Sequence, residues 1–481
     1  MPLWKKRRPL GATAGNDRHL SRRQVCDLAG RLILAGLLPA CEITRQDPAS
    51  RTTVGRAPSR LQWWTEVSTP ARQAAAVSWN ESRGPPILEV ITQAALPSAN
   101  SLAAAIAAGQ PPSLLTLDSG DLTLLTLANE VQPLDGLARA SRLDLKAFMP
   151  QALQPCYGLD DQLYALPEDL AITLLSFNRQ FLHDAGVDYR EAGLDFSQPH
   201  STWESFRDLA SSLARSSELQ GWGFDPSDRF STPRVWCWQN GGRIVSDDGR
   251  VATHTDPANV DALEWLTAWV RDQGGQGELA DQQRTWGTND AHPLLTGKLF
   301  AIHASNRFMD QLSHFSPDLP VNFAHLPVRR GGETPITQAA IQVLALAPGR
   351  HVELAWDVAQ FLVAHATSGP RDRAAAAEAA RNGWQWVPSY SGQLPLDRYR
   401  LAERPSGHTS LDEFNLHALE QARYARSAEK NPAPRIVAGS LRTAFRRAIS
   451  GVATELQALR DAQQRAQQAL DAVWASIAEG S

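Results

Sequence analysis

Cysteine is scarce in this chain: 481 residues contain only four, and no two of them form a CxxC pair. The twelve histidines show no HxxxH or Cys/His ligand spacing, so neither residue type indicates a metal site. The GxSxG, HExxH and P-loop motifs are also absent, and residues 221–226 fail the dinucleotide pattern at its third glycine. The sequence therefore predicts no metal, no cofactor and no enzymatic activity.

Outside the first forty residues, the chain has fewer basic than acidic residues. Residues 1–40 contain eight basic and two acidic residues, whereas the whole chain has a net charge of −4. The remaining residues therefore carry a net charge of about −10. Nucleic-acid binding needs a basic surface that displaces counterions, so this distribution argues against a nucleic-acid partner.

The leader has no apolar run long enough to span a membrane. About twenty apolar residues are needed for a membrane-spanning helix, and residues 32–40 provide roughly half that length. We therefore interpret residues 1–40 as a signal peptide. Arg22 and Arg23 resemble the twin-arginine export motif, although arginine pairs are common in basic tracts and general secretion remains an alternative.

The end of the leader resembles a lipobox at residues 38–41, whose Cys41 is acylated, although a cysteine after small residues also occurs by chance. Residues 41–59 are polar and predict a flexible tether. Together these features predict a lipid-anchored protein of the bacterial cell envelope, periplasmic or on the outer face of the cytoplasmic membrane. In that oxidising compartment Cys156 and Cys237 form either a disulfide or two free buried thiols.

From residue 60 onwards, short apolar runs alternate with amphipathic helices, which predicts a doubly wound α/β sheet. Ligands of such sheets bind beyond the carboxyl ends of the strands. The apolar stripe after residue 452 predicts a long helix that packs on its own lobe rather than in an intermolecular coiled coil. The predicted strands are 61–64, 87–92, 113–117, 171–176, 299–302 and 343–346, and the clearest predicted helices are 70–82, 101–108, 179–185, 257–272 and 352–363.

Six stretches of the chain, taken in order, carry a resemblance to a known family. Residues 106–118 contain a run of small residues, a Gly-x-x-Pro break and an apolar run, and residues 163–186 contain a predicted strand followed by a helix. The other stretches are residues 202–209, 295–302, 355–362 and 466–471. Together they resemble landmarks of the family 1 extracellular solute-binding proteins, which include the maltodextrin-binding proteins of bacterial sugar importers and in which the second stretch corresponds to the crossover strand and its helix.

The resemblance implies a two-lobe periplasmic-binding-protein fold of type II, in which hinge crossovers join two doubly wound sheets and the C-terminal region is helical. It implies that a monomer captures a carbohydrate between its lobes and delivers it by hinge closure to the permease of an ABC importer. The implied lobes are residues 60–168 with 324–370, and residues 169–323 with 371–481.

Sugar recognition needs aromatic platforms and planar polar groups, and the first lobe offers several candidates. Trp64 ends the first predicted strand. Its ring either contacts the ligand or packs in the core, and the sequence favours neither role. Glu66 also follows this strand, and Asp118, Ser119 and Asp121 follow the third; helix capping is the alternative role for these carboxylates. Glu168, near the crossover, either contacts the ligand or supports the hinge.

The second lobe offers Trp238 and Gln239, for which core packing is the alternative. The family's Gly-x-Trp platform is missing after strand 299–302. Asn306 and Arg307 stand there instead and are candidates to bind sugar hydroxyls or an anionic substituent of the ligand. Trp384 and Trp386 are candidates to replace that platform. Gln338 is a further candidate by position. Alternative functions are an envelope sensor or presentation protein without transport, and an envelope glycosidase with paired carboxylates.

Overall fold

The computed structural model describes residues 60–93, 99–196, 201–216, 222–227, 229, 231–332, 334–349, 351–384, 386–403 and 408–480. The predicted signal peptide with Arg22 and Arg23, the lipobox with Cys41, and the tether lie outside these residues. The described strands are β1 (Arg60–Thr65), β2 (Ile87–Thr92), β3 (Leu114–Asp118), β4 (Ala165–Asn178), β5 (Trp222–Phe224), β6 (Leu299–Ser305), β7 (Val321–Ala324), β8 (Thr337–Leu346) and β9 (Ala425–Arg426).

The α-helices alternate with these strands and then dominate the C-terminal part. The helices up to β6 are α1 (Pro70–Arg83), α2 (Ala99–Ala107), α3 (Ser119–Leu127), α4 (Asp135–Ser141), α5 (Pro150–Leu153), α6 (Arg179–Asp184), α7 (Trp203–Ser216), α8 (Pro233–Gln239), α9 (Pro257–Asp272) and α10 (Gly275–Arg284). The later helices are α11 (Asn306–Phe315), α12 (Val352–Val363), α13 (His365–Arg381), α14 (Leu394–Glu403), α15 (Thr409–Gln421), α16 (Pro434–Ile449) and α17 (Glu455–Gly480).

The strands form a mixed sheet in the order β2-β1-β3-β8-β4-β6-β5, with β7 paired to β4 and β9 to β8. The outer pairs β1–β2, β1–β3 and β5–β6 are parallel, as expected for strands connected through helices. Four central pairs are antiparallel: β3–β8, β4–β6, β4–β7 and β4–β8. The predicted parallel pairing therefore holds in the outer parts, whereas the centre departs from it.

Strand β4 takes part in two regions of the sheet. Its residues 165–172 pair with β8, and residues 173–178 pair with β6 or β7. We call the region of β1, β2, β3 and β8 the first half of the sheet, and the region of β5, β6 and β7 the second half. Both halves thus share one continuous strand, which crosses from the first to the second.

Asn306 lies where β4 passes from one half to the other. Its Oδ1 atom accepts a hydrogen bond from the Ile172 backbone N–H at 3.0 Å, and its side-chain amide donates to the Leu170 carbonyl at 3.4 Å. The residue is buried. Both polar groups of this predicted ligand-site residue are therefore used by the backbone of the crossover strand.

Local sequence signals predict many element boundaries correctly. The predicted strand 87–92 and helices 257–272 and 352–363 coincide with β2, α9 and α12. Asp256 caps α9 by accepting a hydrogen bond from the Ala258 N–H at 2.9 Å. The predicted strand 171–176 is too short, because β4 has fourteen residues. Proline and acidic residues at 167–169, which strands generally disfavour, conceal its first part in the sequence.

Aromatic side chains fill the core against the second half of the sheet. Trp203 lies with its ring centroid 5.0 Å from those of both Trp236 and Trp265, and Trp265 lies 5.4 Å from Trp269. His303 stacks on Trp236 at 5.4 Å, and burial lowers the pKa of His303 to about 3. Packing therefore accounts for a large group of the tryptophans.

Helix α17 packs on the protein itself. Its apolar stripe places Leu459, Ala466 and Leu470 in the core, and the helix contacts α16 and α9. The Gln463 and Gln467 side chains accept hydrogen bonds from the backbone N–H groups of Thr255 and Ala252, at 2.9 and 2.8 Å. The prediction of intramolecular packing is confirmed.

The two cysteines of the described chain, Cys156 and Cys237, are free and buried. Of the two alternatives that the sequence leaves open, the structure therefore shows separate thiols. Within the described residues, no helix combines the length and apolar character that crossing a bilayer requires.

A buried carboxylate follows helix α3. Glu130 is 8% exposed, and its Oε2 atom has no hydrogen-bond partner among the described residues. Burial raises the pKa of Glu130 to about 7, because apolar surroundings disfavour the charged form. The native state therefore binds this proton more tightly than the unfolded chain does, and this group makes stability fall as the pH rises from about 4.5 to about 7.

We expect Glu130→Gln to be more stable than the wild type above pH 7, by up to about 3 kcal/mol at 1.36 kcal/mol per pKa unit. The difference should shrink as the pH falls to about 4.5, where the wild-type carboxyl is neutral in the folded state and already half protonated in the unfolded chain. Urea unfolding of both proteins at pH 4.5, 6 and 8 measures it. Glu81→Gln, at an exposed position of α1, is the matched control. An advantage that does not grow with pH contradicts this prediction.

Candidate functional site

A cavity of about 400 Å³ lies beside the crossover strands β4 and β8. The start of α1, β4 and β8 contribute to it from the first half of the sheet, and α11, which packs on β4 and β6, closes its other side. We call it the crossover cavity. Its charged, amide and aromatic wall includes Arg72, Glu168, Gln342, Arg371, Trp384 and Trp386.

Arg72 lies near the carboxyl end of β1, because only four residues separate that strand from α1. Its Nε and Nη2 atoms both donate to the Glu168 carboxylate, at 2.9 and 3.3 Å. Nη1 donates to the Thr65 hydroxyl at 2.9 Å and to the Val67 carbonyl at 2.8 Å. Nη2 also donates to Gln342 Oε1 at 2.8 Å. All five N–H groups of this guanidinium therefore bond to the protein.

Glu168 is held from several sides. Its Oε2 atom also accepts a hydrogen bond from the Thr116 hydroxyl at 2.6 Å, and Arg371 Nη2 lies 3.6 Å from Oε1. Burial acts to raise the pKa of Glu168, but the charges of Arg72 and Arg371 and the hydrogen bonds outweigh it, so the pKa lies below its usual range. These contacts give Glu168 a supporting role at the crossover, and direct ligand contact remains a prediction.

Helices α13 and α14 supply a second group of charges. Arg400 Nε donates to Asp372 at 2.9 Å, and its Nη1 donates to the Ser389 carbonyl at 2.8 Å. Arg371 makes one hydrogen bond to the described residues, from Nη1 to the Leu362 carbonyl at 3.3 Å. Burial lowers the pKa of Arg371, although the charge of Glu168 opposes this effect. Arg371 therefore keeps N–H groups that can reach a bound molecule.

Trp384 and Trp386 form the aromatic part of the cavity wall. They follow α13, which ends beside Gly383 in a left-handed conformation with φ of 74°. Trp384 is 37% exposed, and its ring centroid lies 4.1 Å from that of His314 on α11. Both predicted candidates therefore lie at one cavity. Indole rings there can cover the C–H face of a sugar.

The four candidates predicted at the ends of β1 and β3, which are three carboxylates and one serine, lie outside the crossover cavity. Asp118 caps α3 by accepting a hydrogen bond from the Gly120 N–H at 3.0 Å, as its alternative role predicts. Arg435, at the start of α16, donates a hydrogen bond to Asp121 at 2.7 Å. This contact raises the pKa of Arg435, and the charges of Glu66 and Asp118 act in the same direction. The members of this group are Glu66, Asp118, Ser119 and Asp121, which we call the edge group.

Trp64 is half-buried, and its Nε1 donates to Gln62 Oε1 on the same strand at 3.1 Å. Its neighbour Trp63 points into the core, where its Nε1 donates to the Thr116 hydroxyl at 2.9 Å. The two rings therefore lie on opposite faces of β1, as the alternation of side chains along a regular strand requires. Trp64 does not line the crossover cavity.

Trp238 is only 1% exposed, which matches the packing alternative. Its Nε1 donates to Glu429 at 2.8 Å, and the Arg426 guanidinium lies 4.8 Å from its ring centroid. Gln239 donates to the Ile336 carbonyl at 2.9 Å. Gln338 is half-buried on β8, opposite Arg426 of β9. The structure therefore does not bring Trp238, Gln239 or Gln338 to the crossover cavity, and the side chain of Arg307 lies outside the described residues.

Sequence reasoning did not find Arg72, Gln342 or Arg371. The position of Arg72, in the first turn of the helix after β1, is a signal that could have indicated the carboxyl end of that strand. Gln342 and Arg371 are more than 150 residues beyond Glu168 in the chain, and no local pattern connects them. Only the folding of β8 and α13 onto β4 and α1 brings them together.

Two further cavities lie elsewhere in the described chain. One of about 520 Å³ is lined by residues near 150–161, 243–247 and 425–430, and none of its lining side chains is aromatic. Another of about 410 Å³ includes Trp474, but the Arg250 guanidinium lies 3.9 Å from that ring centroid and covers it. Neither contains a residue from the predicted ligand site. The crossover cavity contains three: Glu168, Trp384 and Trp386.

Within the part of the chain that the structure describes, no group of three or more His, Cys, Asp or Glu side chains is arranged to hold a metal ion. No protein-family model matches the chain. The fold, however, is similar to that of many solved proteins.

One such structure is CpMnBP1 with mannotriose bound, with 18% identity, a TM-score of 0.65, and coverage of 85% of this chain and 99% of that one. A second is the ABC substrate-binding protein Lmo0181 from Listeria monocytogenes in complex with cycloalternan, with 17% identity, a TM-score of 0.63, and coverage of 85% and 98%. A third is the sugar-binding protein MalE from Xanthomonas citri, with 17% identity, a TM-score of 0.64, and coverage of 86% and 97%.

These likenesses confirm the predicted fold class, a two-lobe periplasmic-binding-protein fold of type II. At the level of the fold they also confirm the resemblance to the family 1 solute-binding proteins.

Proposed function

We propose that this protein is the substrate-binding component of a bacterial ABC importer and that it captures a carbohydrate in the crossover cavity. The observation that carries this proposal is the pairing of two tryptophans with a fixed charge network at one cavity between the sheet halves. The similar fold of proteins whose structures contain mannotriose and cycloalternan supports it.

The chemistry of the cavity wall suits a sugar. A sugar ring has flat C–H faces and several hydroxyls, so it needs an aromatic surface and fixed donors and acceptors. Trp384 and Trp386 provide the aromatic surface. Arg371 provides donors, and Arg72 and Glu168 hold each other and Gln342 in fixed positions. No reaction is needed for this role, and the protein is proposed to bind without catalysis.

We propose that the two sheet halves are the lobes and that they close around the ligand at the crossover strands. The bounds follow the sequence prediction except at α13, which it divides at residue 370. Because α13 packs along α1, we assign the whole helix to the first lobe. The first lobe would then contain residues 60–168 and 324–381, and the second residues 169–323 and 382–481. Closure would present the loaded form to the transmembrane subunits of the permease.

The leader completes the proposal. Arg22 and Arg23 would direct export, and Cys41 would carry the lipid that anchors the protein in the cell envelope. Residues 41–59 would then separate the lobes from the membrane.

Ligand binding should stabilise the folded protein, because a molecule that binds only the native state adds RT ln(1 + [L]/Kd) to its stability. We expect at least one sugar in a panel of mono-, di- and oligosaccharides to raise the melting temperature. At a concentration of 100 Kd the gain is about 2.7 kcal/mol. Small-angle scattering with that sugar should show a smaller radius of gyration. If no sugar in a broad panel gives either effect, the carbohydrate proposal is wrong.

A further inference from the structure

We infer that the crossover cavity selects short, neutral sugars of one or two rings and excludes longer chains at the edge group. This inference rests on the proposed function and specifies its ligand. Three independent features of the described residues support it: the size of the cavity, the contact that closes its neighbouring edge, and the balance of charges in its wall.

The cavity is small for an oligosaccharide. Its volume of about 400 Å³ is near the lower end of the range of about 300–1,000 Å³ that ligand sites span. The aromatic surface is confined to Trp384 and Trp386, which are two residues apart in the chain. The family's aromatic platform after β6 is missing, and Asn306, which stands there instead, uses its polar groups to bond to the backbone of β4. A long chain therefore lacks a second row of stacking surfaces there.

The neighbouring edge is closed by a contact between α3 and α16. Arg435 donates to both carboxylate oxygens of Asp121, at 3.2 and 2.7 Å. The Pro434 side chain lies 3.4 Å from the position that a Cβ atom would occupy on Gly120. Helix α16 also packs on α8 and α9 beside the second half of the sheet. A sugar chain that extended from the crossover cavity past β3 would meet this contact.

The charges in the cavity wall already have partners. All five N–H groups of Arg72 bond to the protein, and Arg400 is paired with Asp372. Arg371 lies 3.6 Å from the Glu168 carboxylate, which offsets its charge. Among the described residues that line the cavity, five carboxylates (Glu168, Asp169, Asp310, Asp372 and Glu378) face three arginines, so a carboxylate or phosphate on the ligand would meet an excess of negative charge. Neutral hydroxyls need only hydrogen bonds, which Arg371 can donate.

The inference is tested by calorimetric titration with homologous series of one to four units of mannose, glucose, galactose and xylose, and with galacturonate. In whichever series binds, we expect the affinity to peak at one or two units and the tetrasaccharide to bind at least 10-fold more weakly. Galacturonate should bind at least 10-fold more weakly than galactose if galactose binds. An affinity that rises through the trisaccharide and tetrasaccharide, or a preference for the acidic sugar, overturns the inference and leaves the sugar-binding function intact. If no series binds, the proposed function itself fails.

A pair of matched variants tests the role of the edge. Arg435→Gln removes the ionic contact with Asp121. We expect the ratio of disaccharide affinity to tetrasaccharide affinity to fall at least 3-fold in this variant. Arg60→Gln removes an exposed ion pair with Glu89 at the far end of β1 and should leave the ratio unchanged. A ratio that is equal in the wild type and both variants shows that this contact does not limit ligand length. Circular dichroism of both variants checks that they are folded.

Discussion

Glu168→Gln is expected to lower the free energy of unfolding by about 3–5 kcal/mol, the cost of removing one partner from a buried ion pair. The substitution leaves Arg72 and Arg371 without their buried counter-charge, and it weakens the hydrogen bond from Thr116. Equilibrium unfolding in urea at pH 7 measures the change. Glu89→Gln is the matched control, because Glu89 also pairs with an arginine but at an exposed site, where such pairs contribute about 0–1 kcal/mol.

The pH dependence of this effect has a definite sign. The folded pKa of Glu168 is lowered, so its contribution to stability is present above the pKa of the unfolded chain and is lost as the pH falls through the folded value. The difference between wild type and Glu168→Gln should therefore be constant near neutral pH and become smaller in acid. A variant that is as stable as Glu89→Gln at pH 7 would falsify the assigned role of this carboxylate.

Trp384→Ala and Trp386→Ala are each expected to weaken binding of the best sugar by about 10- to 100-fold, or about 1.4–2.8 kcal/mol. Each loses an aromatic surface of the crossover cavity. Trp384 is partly exposed, so its replacement should change the melting temperature of the unliganded protein little. Isothermal calorimetry with the sugar identified by thermal shift measures the loss.

Trp474→Ala is the control for these variants, because Trp474 lies on α17 outside the crossover cavity and stacks with Arg250. It should retain wild-type affinity. If both cavity variants bind as tightly as this control, the ligand does not contact Trp384 or Trp386, and the site must be sought elsewhere in the fold.

Residues that act within one local element were predictable from sequence. Asp256 and Pro257 predicted the start of α9, and the apolar spacing predicted the bounds of α12. Trp384 and Trp386 were placed at the cleft by resemblance, and both line one cavity. In contrast, Trp238 and Asn306 were candidates because of where they stand in the chain, and their side chains bond to Glu429 and to the backbone of β4.

The sequence by itself determined the alternation of strands and helices, because capping residues and apolar periodicity act over a few positions and need no distant partner. It also predicts a signal peptide at residues 1–40, since charge and apolar length are local properties, and that prediction lies outside the described residues. Only the tertiary structure decided which polar residues share a cavity. Arg72, Glu168, Gln342 and Arg371 come from four separate elements. Their meeting depends on how β4 and β8 cross the sheet and how α13 packs on α1, because buried charges are placed by the partners that neutralise them.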